Sequence, residues 1–232
     1  MKKLAVFVEG QTEHLFIEKL IREVAGAHRV RIEGIRCQGG RNVPRLYTAI
    51  TATAPSGGEY YVLIFECSGD GHVLSVLRDR YASLMSEGYS LLLGLRDVYP
   101  IPDSEFANLE ATTAKLIPSG GLPAYLVFAK REIEAWFLAE SAHLITIDAR
   151  LNPREAERIA GTSIAPENVE KIDHPAQLLD TIYRAVGFRY RKDKRRLQRV
   201  VEAIDYANLY LHVASLVPNL GKFCAHIDTF LN

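Results

Sequence analysis

The chain has 232 residues, of which 48% are hydrophobic and 24% charged, proportions that are typical of a globular protein. Its 28 basic and 28 acidic residues give a formal net charge of zero. The molecule as a whole therefore has no excess charge that would attract nucleic acid or a membrane surface. Any attraction to phosphate must come from a local group of basic residues.

The three cysteines, Cys37, Cys67 and Cys224, are far apart in the sequence and lack the spacing of metal ligands. This pattern favours core residues in a reducing compartment over a disulfide framework. The apolar run that ends at Glu9 is too short for a signal peptide, and no stretch reaches the ~18 apolar residues of a membrane span. We expect a soluble cytoplasmic protein that does not associate with a membrane.

Up to about residue 130, short β-branched or aliphatic runs alternate with stretches of helical period. This alternation predicts an α/β fold with a mostly parallel sheet flanked by helices. The predicted strands are LAVFV (4–8), RVRIEGIR (29–36), YYVLIF (60–65), YSLLLGL (89–95) and AYLVFA (124–129). The predicted helices are TEHLFIEKLIREVAG (12–26), RNVPRLYTAITATA (41–54), HVLSVLRDRYASLMSEG (72–88) and DSEFANLEATTAKLI (103–117).

After REIEAWFLAE (131–140) the strand signals fade and the remaining patterns are helical. The helices predicted there are LNPREAERIAG (151–161), HPAQLLDTIYRAVG (174–187), KDKRRLQRVVEAIDYANLYLHVASL (192–216) and GKFCAHIDTFL (221–231). We therefore predict an α/β domain over residues 1–140 and an α-helical C-terminal segment, residues 141–232, packed on it.

Acidic residues follow several predicted strands. In an open parallel sheet, ligands bind outside the carboxyl ends of the strands, so the residues found there carry functional information. The acidic residues at these ends are Glu9, Glu66 with the nearby Asp70, Asp97, and Glu132 with Glu134. The last two share a face if the strand continues that far, and they diverge if a helix starts at Arg131.

A group of like charges repels itself unless a cation neutralises it, and carboxylate oxygens suit Mg²⁺ or Mn²⁺. The strand ends therefore predict a site for a divalent metal ion. The alternative is structural, because carboxylates at strand ends often cap the following helix. For a single residue the two interpretations have similar weight, but several acidic residues together favour the metal.

The sequence VEGQTE (8–13) is similar to the first motif of the Toprim superfamily, the metal-binding α/β domain of topoisomerases, DnaG-type primases and OLD-type nucleases. EIEAWFLAE (132–140), and HPAQLL (174–179) with its following tyrosine and basic run, resemble a poorly characterised bacterial branch of Toprim-like proteins. Each motif is short, but together they touch most of the chain.

The resemblance implies that Glu9 acts near phosphate as a metal ligand or general acid/base, and that acidic residues at a later strand end bind Mg²⁺. The superfamily's second motif is Asp-x-Asp, whereas this chain has Glu66-Cys67-Ser68 and Asp97-Val98-Tyr99. Three alternatives follow. Glu66 and Asp70 replace the pair, Asp97 takes over as a catalytic residue beside Glu9 with Glu66 in support, or the site binds without cutting.

Several residues are candidates for contact with nucleic acid. We expect Gly10 to supply backbone angles that a side chain would resist and to let phosphate approach the helix N-terminus. In CQGGRNVPR (37–45), Arg41 could help to cradle phosphate, although a simple tight turn is the stronger interpretation. In RYRKDKRRLQR (189–199), Lys192, Arg195 and Arg199 fall on one helical face, and a solvated face has about the same weight as a phosphate path.

Two functions of different class remain. The first is a Mg²⁺-dependent (or Mn²⁺-dependent) enzyme that cleaves phosphodiester bonds in nucleic acid, DNA ahead of RNA, with bacterial defence or DNA transactions implied by the resemblance. The second is a catalytically silent Toprim-like module that binds nucleic acid, nucleotide or a partner protein. The altered Asp-x-Asp motif favours the second, but the enzyme is the leading prediction and the silent module its alternative.

Overall fold

The computed structural model describes residues 1–40, 43–52, 58–191 and 193–232. The strands are β1 (Lys2–Val8), β2 (Val30–Gly40), β3 (Val43–Ala52), β4 (Tyr60–Glu66), β5 (Leu91–Asp97) and β6 (Ala124–Ala129). The longer helices are α1 (Gln11–Ala25), α2 (Val73–Ser86) after a 3₁₀ turn at Asp70–His72, α3 (Asp103–Ala114), α6 (Pro153–Ala160), α8 (Pro175–Arg184), α9 (Lys194–Ala203) and α12 (Pro218–Leu231). The shorter ones are α4 (Glu134–Ala139), α5 (His143–Ile147), α7 (Pro166–Val169), α10 (Tyr206–Asn208), a π-helical turn at Leu209–Val213, and α11 (Ala214–Leu216).

The sheet has the order β3-β2-β4-β1-β5-β6. Strand β1 pairs in parallel with β4 and β5, and β2 pairs in parallel with β4. Strand β3 is an edge strand, antiparallel to β2. The prediction of an α/β fold with a mostly parallel sheet, flanking helices and a helical C-terminal segment is confirmed.

Residues 41–54, predicted as a helix, form strand β3 over their described part. Leu46 and Ile50 lie at helical spacing, but Tyr47, Thr48 and Thr51 are residue types that favour strands. Strand β2 also continues to Gly40, beyond its predicted end at Arg36, and gives β3 a hydrogen-bonding partner. The secondary structure of this segment is therefore determined by its pairing with β2 and not by its local periodicity.

The predicted helix over 192–216 is also wrong as a single element. It breaks at Ile204, whose ψ of 131° is extended, and the side chain of Asp205 then caps α10 by accepting from the Asn208 N–H. A capping aspartate inside an apolar helical pattern marks the start of a new helix rather than the continuation of the preceding one.

The chain divides into two compact units. The first comprises residues 1–96, 102–128 and 225–232, and the second comprises 97–101 and 129–224. The predicted division into residues 1–140 and 141–232 stays a prediction. None of the helices in the described ranges has the length and apolar composition needed to cross a bilayer.

The first unit has a core between the sheet and α2, where Phe7 and Phe65 stack across β1 and β4 with ring centroids 4.8 Å apart. Both are fully buried. The second unit has its own core, in which Trp136 is fully buried with its ring centroid 6.2 Å from that of Phe223. The interpretation of Trp136 as a core residue is confirmed.

We predict that Gly221→Ala destabilises the second unit. A Cβ at Gly221 in α12 would lie 2.5 Å from the carbonyl oxygen of Ala214, so the backbone would have to move. Helix propensity alone would favour alanine by about 1 kcal/mol, whereas overpacking costs about 1–3 kcal/mol. Chemical denaturation measures the difference.

Gly121→Ala is the matched control, because a Cβ there meets no atom within 4 Å. Its midpoint should remain that of the wild type. A stabilised Gly221→Ala variant would show that α12 does not approach Ala214 as closely as described.

Candidate functional site

The carboxyl ends of β1 and β4 bring two of the predicted acidic residues to the same end of the first unit. The two strands pair in parallel with Val8 opposite Glu66, so Glu9 directly follows this pair of residues. The backbone carbonyl of Glu9 accepts from the N–H of Gly69, 3.1 Å away, which holds the loop after β4 against the end of β1. Glu9 is half-buried and Glu66 is buried.

Glu66 is held by two basic side chains. Its Oε1 lies 3.0 Å from Nδ1 of His14 on α1, and its Oε2 accepts from Nε of Arg36 on β2 at 2.8 Å. Because an ionised carboxylate can only accept hydrogen bonds, the proton of the His14 pair lies on Nδ1. Burial raises the pKa of Glu66, but the hydrogen bonds from His14 and Arg36 outweigh it and leave the pKa below its usual value.

Sequence reasoning missed His14 and Arg36 because their partner is distant along the chain. His14 is 52 positions away from Glu66 along the chain. Arg36 carried a usable signal, since it stands opposite Glu66 in the parallel pairing of β2 and β4. An opposite-charge pair across neighbouring strands is a common way to stabilise a sheet.

Gly10 differs from the expectation for it. Its φ of −164° and ψ of −155° are extended angles that any residue adopts, so the turn into α1 does not require glycine. Its N–H donates to Oε2 of Glu13 at 2.9 Å. The carboxylate of Glu13 therefore accepts the hydrogen bond of this N–H at the start of α1. The contact of Gly10 with phosphate stays a prediction.

The loop after β4 contains a residue in an uncommon conformation. Ser68 has a φ of 59°, and its hydroxyl donates to the carbonyl of Cys37 at 2.6 Å. Arg131, which follows β6 in the second unit, has a φ of 69° and pairs with Asp173 at 2.9 Å. Positive φ at residues other than glycine is concentrated at functional sites, and both of these residues follow the carboxyl end of a strand.

Three of the other predicted acidic residues, Asp97, Glu132 and Glu134, lie in the second unit, whereas Asp70 begins the 3₁₀ turn after β4 in the first. Oδ1 of Asp97 accepts from the N–H of Ile133 at 3.1 Å, which places Asp97 beside the segment that contains Glu132 and Glu134. Helix α4 begins at Glu134, so neither a continued strand nor a helix starting at Arg131 describes this segment.

Both glutamates accept hydrogen bonds within the second unit. Oε2 of Glu132 accepts from the N–H of Ala176 at 3.1 Å, and Oε1 of the fully buried Glu134 accepts from the hydroxyl of Tyr190 at 2.8 Å. Asp97 is also buried. These three carboxylates therefore have structural hydrogen bonds inside the unit.

A further buried carboxylate, Glu140, was not a predicted site residue. It has no exposed surface, and its oxygens accept from the N–H groups of His143 at 3.1 Å and Asp205 at 3.3 Å and from the side-chain amide of Asn208 at 3.1 Å. The Nε2 of His143 lies 2.8 Å from the hydroxyl of Tyr183. Burial raises the pKa of Tyr183, and the charge of Glu140 raises it further.

The predicted metal site needs a set of ligands. A metal site needs a group of at least three His, Cys, Asp or Glu side chains. The part of the chain that the structure describes contains no such group. Glu66 has both oxygens committed to His14 and Arg36. A divalent ion therefore does not fit the described side chains as a set, and metal binding by Glu9, Glu66, Asp70, Asp97, Glu132 and Glu134 stays a prediction.

The basic residues divide between described and undescribed positions. Arg195 and Arg199 lie on α9 and are exposed, whereas Arg41 and Lys192 lie outside the described residues. The guanidinium of Arg199 lies 4.8 Å from the ring centroid of Phe188, and its Nη2 donates to the carbonyl of Ile147 at 3.1 Å.

A sequence profile for a domain of unknown function, DUF4276, matches residues 8–221. The chain belongs to the DUF4276 family. The match begins at Val8, the last residue of β1, and includes residues 8–13, the segment 132–140 and the basic residues 189–199. Most of both units of this DUF4276 chain therefore lie within the family's domain. No curated protein and no solved structure matches the chain significantly.

We predict that Glu66→Gln lowers stability at neutral pH by about 1.5–3 kcal/mol, the range for hydrogen bonds to a charged group. A carboxylate whose pKa is lowered on folding stabilises the protein above its unfolded pKa, and this contribution disappears as the pH falls through the folded pKa. The difference between wild type and Glu66→Gln should therefore shrink on acidification below the ordinary glutamate pKa. Urea denaturation from pH 7 to pH 3 measures it.

Glu23→Gln is the control, because Glu23 is exposed on α1 in the same unit. It should follow the wild type at every pH. A Glu66→Gln penalty that is constant across the pH range would contradict the role of its charge.

Proposed function

We propose that this DUF4276 chain binds nucleic acid through the basic segment of residues 189–199, as a Toprim-like module whose binding does not require catalysis. The observation that carries the proposal is the exposure of four arginines of this segment, which belongs to the second unit. Its exposed arginines are Arg189, Arg191, Arg195 and Arg199. The opposite face of α9 is used for packing, since Leu197, Val200 and Val201 are buried.

The charge of the segment supports a polyanionic ligand. Residues 189–199 contain seven basic residues and one acidic residue, Asp193, a net charge of +6 in a chain whose total is zero. Duplex DNA carries one negative charge for about every 1.7 Å of its axis, and the release of its counterions supplies most of non-specific binding. A short, strongly basic segment is therefore sufficient for such contact.

The local structure also supports binding. Asp193 caps α9 by accepting from the Arg196 N–H and pairs with the Arg196 guanidinium at 3.6 Å. The one acidic residue of the segment is thus used at the helix start, and Phe188 and Ile147 hold the Arg199 side chain in place. Held side chains lose less conformational entropy when they meet phosphate.

We place duplex DNA ahead of RNA because of the Toprim resemblance, and we keep a cytoplasmic location as part of the proposal. The three cysteines are buried and free, which is consistent with a reducing compartment.

We predict that Arg191→Ala with Arg195→Ala weakens binding to duplex DNA of any sequence and reduces the slope of log K against log salt by about one unit per lost phosphate contact. Both side chains are exposed, so the fold should be retained. Fluorescence anisotropy with a labelled duplex at several salt concentrations measures affinity and slope.

The matched control is Arg154→Ala with Arg158→Ala, which removes two exposed arginines at the same spacing from α6 of the same unit. This control should bind as the wild type does. If the Arg191/Arg195 variant also binds as the wild type does at every salt concentration, the basic segment is a solvated surface and the proposal fails.

Phosphodiester cleavage at the carboxyl edge of the sheet is the second candidate function. It is favoured by the position of Glu9 beside the end of β4 and by the positive φ of Ser68 in the adjoining loop. In this candidate Glu9 is the general acid/base, since Glu66 is committed to His14 and Arg36. The assay compares cleavage in the presence and in the absence of Mg²⁺ or Mn²⁺.

We predict for this second candidate that plasmid DNA, or single-stranded DNA or RNA, is cleaved with Mg²⁺ or Mn²⁺ and not with EDTA. Glu9→Gln should abolish the cleavage and leave the affinity for DNA intact, because the basic segment is untouched. Glu23→Gln is the control for a lost charge. Binding without cleavage under every metal condition would leave the silent module as the function.

A further inference from the structure

A cavity of about 350 Å³ lies in the first unit at the amino ends of the strands. It is lined by Lys2, Ser90, Leu91, Pro123, Tyr125 and, from α12, His226, Thr229 and Phe230. Lys2 and Leu91 are the first residues of β1 and β5, so the cavity is at the opposite end of these strands from Glu9. Its volume lies within the range of about 300–1,000 Å³ that is typical of small-molecule sites.

An aromatic surface forms one wall of the cavity. The rings of Tyr125 and His226 stack with centroids 4.1 Å apart and an interplanar angle of 24°. Tyr125 is nevertheless 44% exposed, which is high for a tyrosine fixed by stacking. A planar ring held in this way can accept a second planar ring at low entropic cost.

The polar groups of the cavity determine the ligand's chemistry. The Ser90 hydroxyl donates to the carbonyl of Lys3 at 3.0 Å, and the Thr229 hydroxyl donates to the carbonyl of Ala225 at 2.9 Å. Because each hydroxyl has one proton, both are left as acceptors toward the cavity. Lys2 also lines the cavity, and its side chain, which can only donate hydrogen bonds, is suited to pair with an anionic group.

The charge on the described residues that line the cavity is positive. Burial lowers the pKa of His226, so its imidazole is neutral at pH 7. Of the described residues that line the cavity, Lys2 alone carries a full charge at that pH. A cationic ligand would meet like charge there, whereas an anion would be attracted.

We propose that this cavity binds a small planar aromatic acid, with the ring on Tyr125 and the acidic group at Lys2. The site shares no residue with the proposed function, because the basic segment 189–199 belongs to the other unit and Glu9 follows the opposite end of β1. Loss of DNA binding and loss of this site are therefore distinguishable.

Three probes of similar size test the chemistry on the full chain: benzoate, benzylamine and cyclohexanecarboxylate. Benzoate should bind with a Kd of about 1 mM, as expected for so small a ligand. The other two lack the anion or the aromatic ring and should each bind at least about fivefold more weakly. NMR titration at low salt measures the three affinities, and the imidazole resonances of His226, but not those of His14, should shift with benzoate.

Variants identify the residues responsible. Tyr125→Ala should raise the Kd for benzoate about fivefold, and Tyr125→Phe should leave it unchanged because the ring remains. Lys2→Gln should raise it about threefold at low salt and less at high salt. Tyr99→Ala and Lys19→Gln are matched controls, since Tyr99 is 41% exposed beside His174 and Lys19 is an exposed lysine of the first unit.

The controls should retain the wild-type affinity. Equal binding of benzylamine and benzoate would overturn the assignment of an acid, and an unchanged Kd in Tyr125→Ala would overturn the assignment of the aromatic wall. The absence of any His226 shift at 20 mM benzoate would overturn the site itself.

Discussion

The contact between Glu66, Arg36 and His14 is the constraint on which the carboxyl edge of the first unit depends. It joins the end of β4 to the neighbouring strand β2 and to the first turns of α1. A buried carboxylate is costly unless it is paired and hydrogen-bonded. Here the protein supplies the cation and the donor itself, so the negative charge at this strand end is balanced without an external ion.

The buried carboxylates of the second unit are also stabilised by hydrogen bonds from within the protein. Glu140 accepts from backbone N–H groups and an asparagine amide, and Glu134 accepts from a tyrosine hydroxyl. These bonds tie segments that are distant in sequence, from α4 to the start of α10. Glu132, Glu134 and Glu140, the three acids of EIEAWFLAE, therefore organise the helical unit, whatever further role the motif has.

The sequence predicted the parts of the fold that depend on local pattern. The strands β1, β4, β5 and β6 and helix α1 follow directly from apolar periodicity and from the stops that bound them. Strand β3 was not predictable in this way, because its pairing with β2 overrides the spacing of Leu46 and Ile50. The acidic strand ends were visible in the sequence, but His14 was not predictable as a partner of Glu66, since the two residues meet only in three dimensions.

The position of β1 in the sheet has a consequence for how the chain folds during synthesis. Strand β1 lies between β4 and β5, so its partners emerge only when residues 60–97 have been made. Residues 225–232 also belong to the first unit, and the whole second unit is synthesised before them. Contacts of such long sequence separation slow folding, and an apolar strand that is unpaired during folding is prone to aggregation.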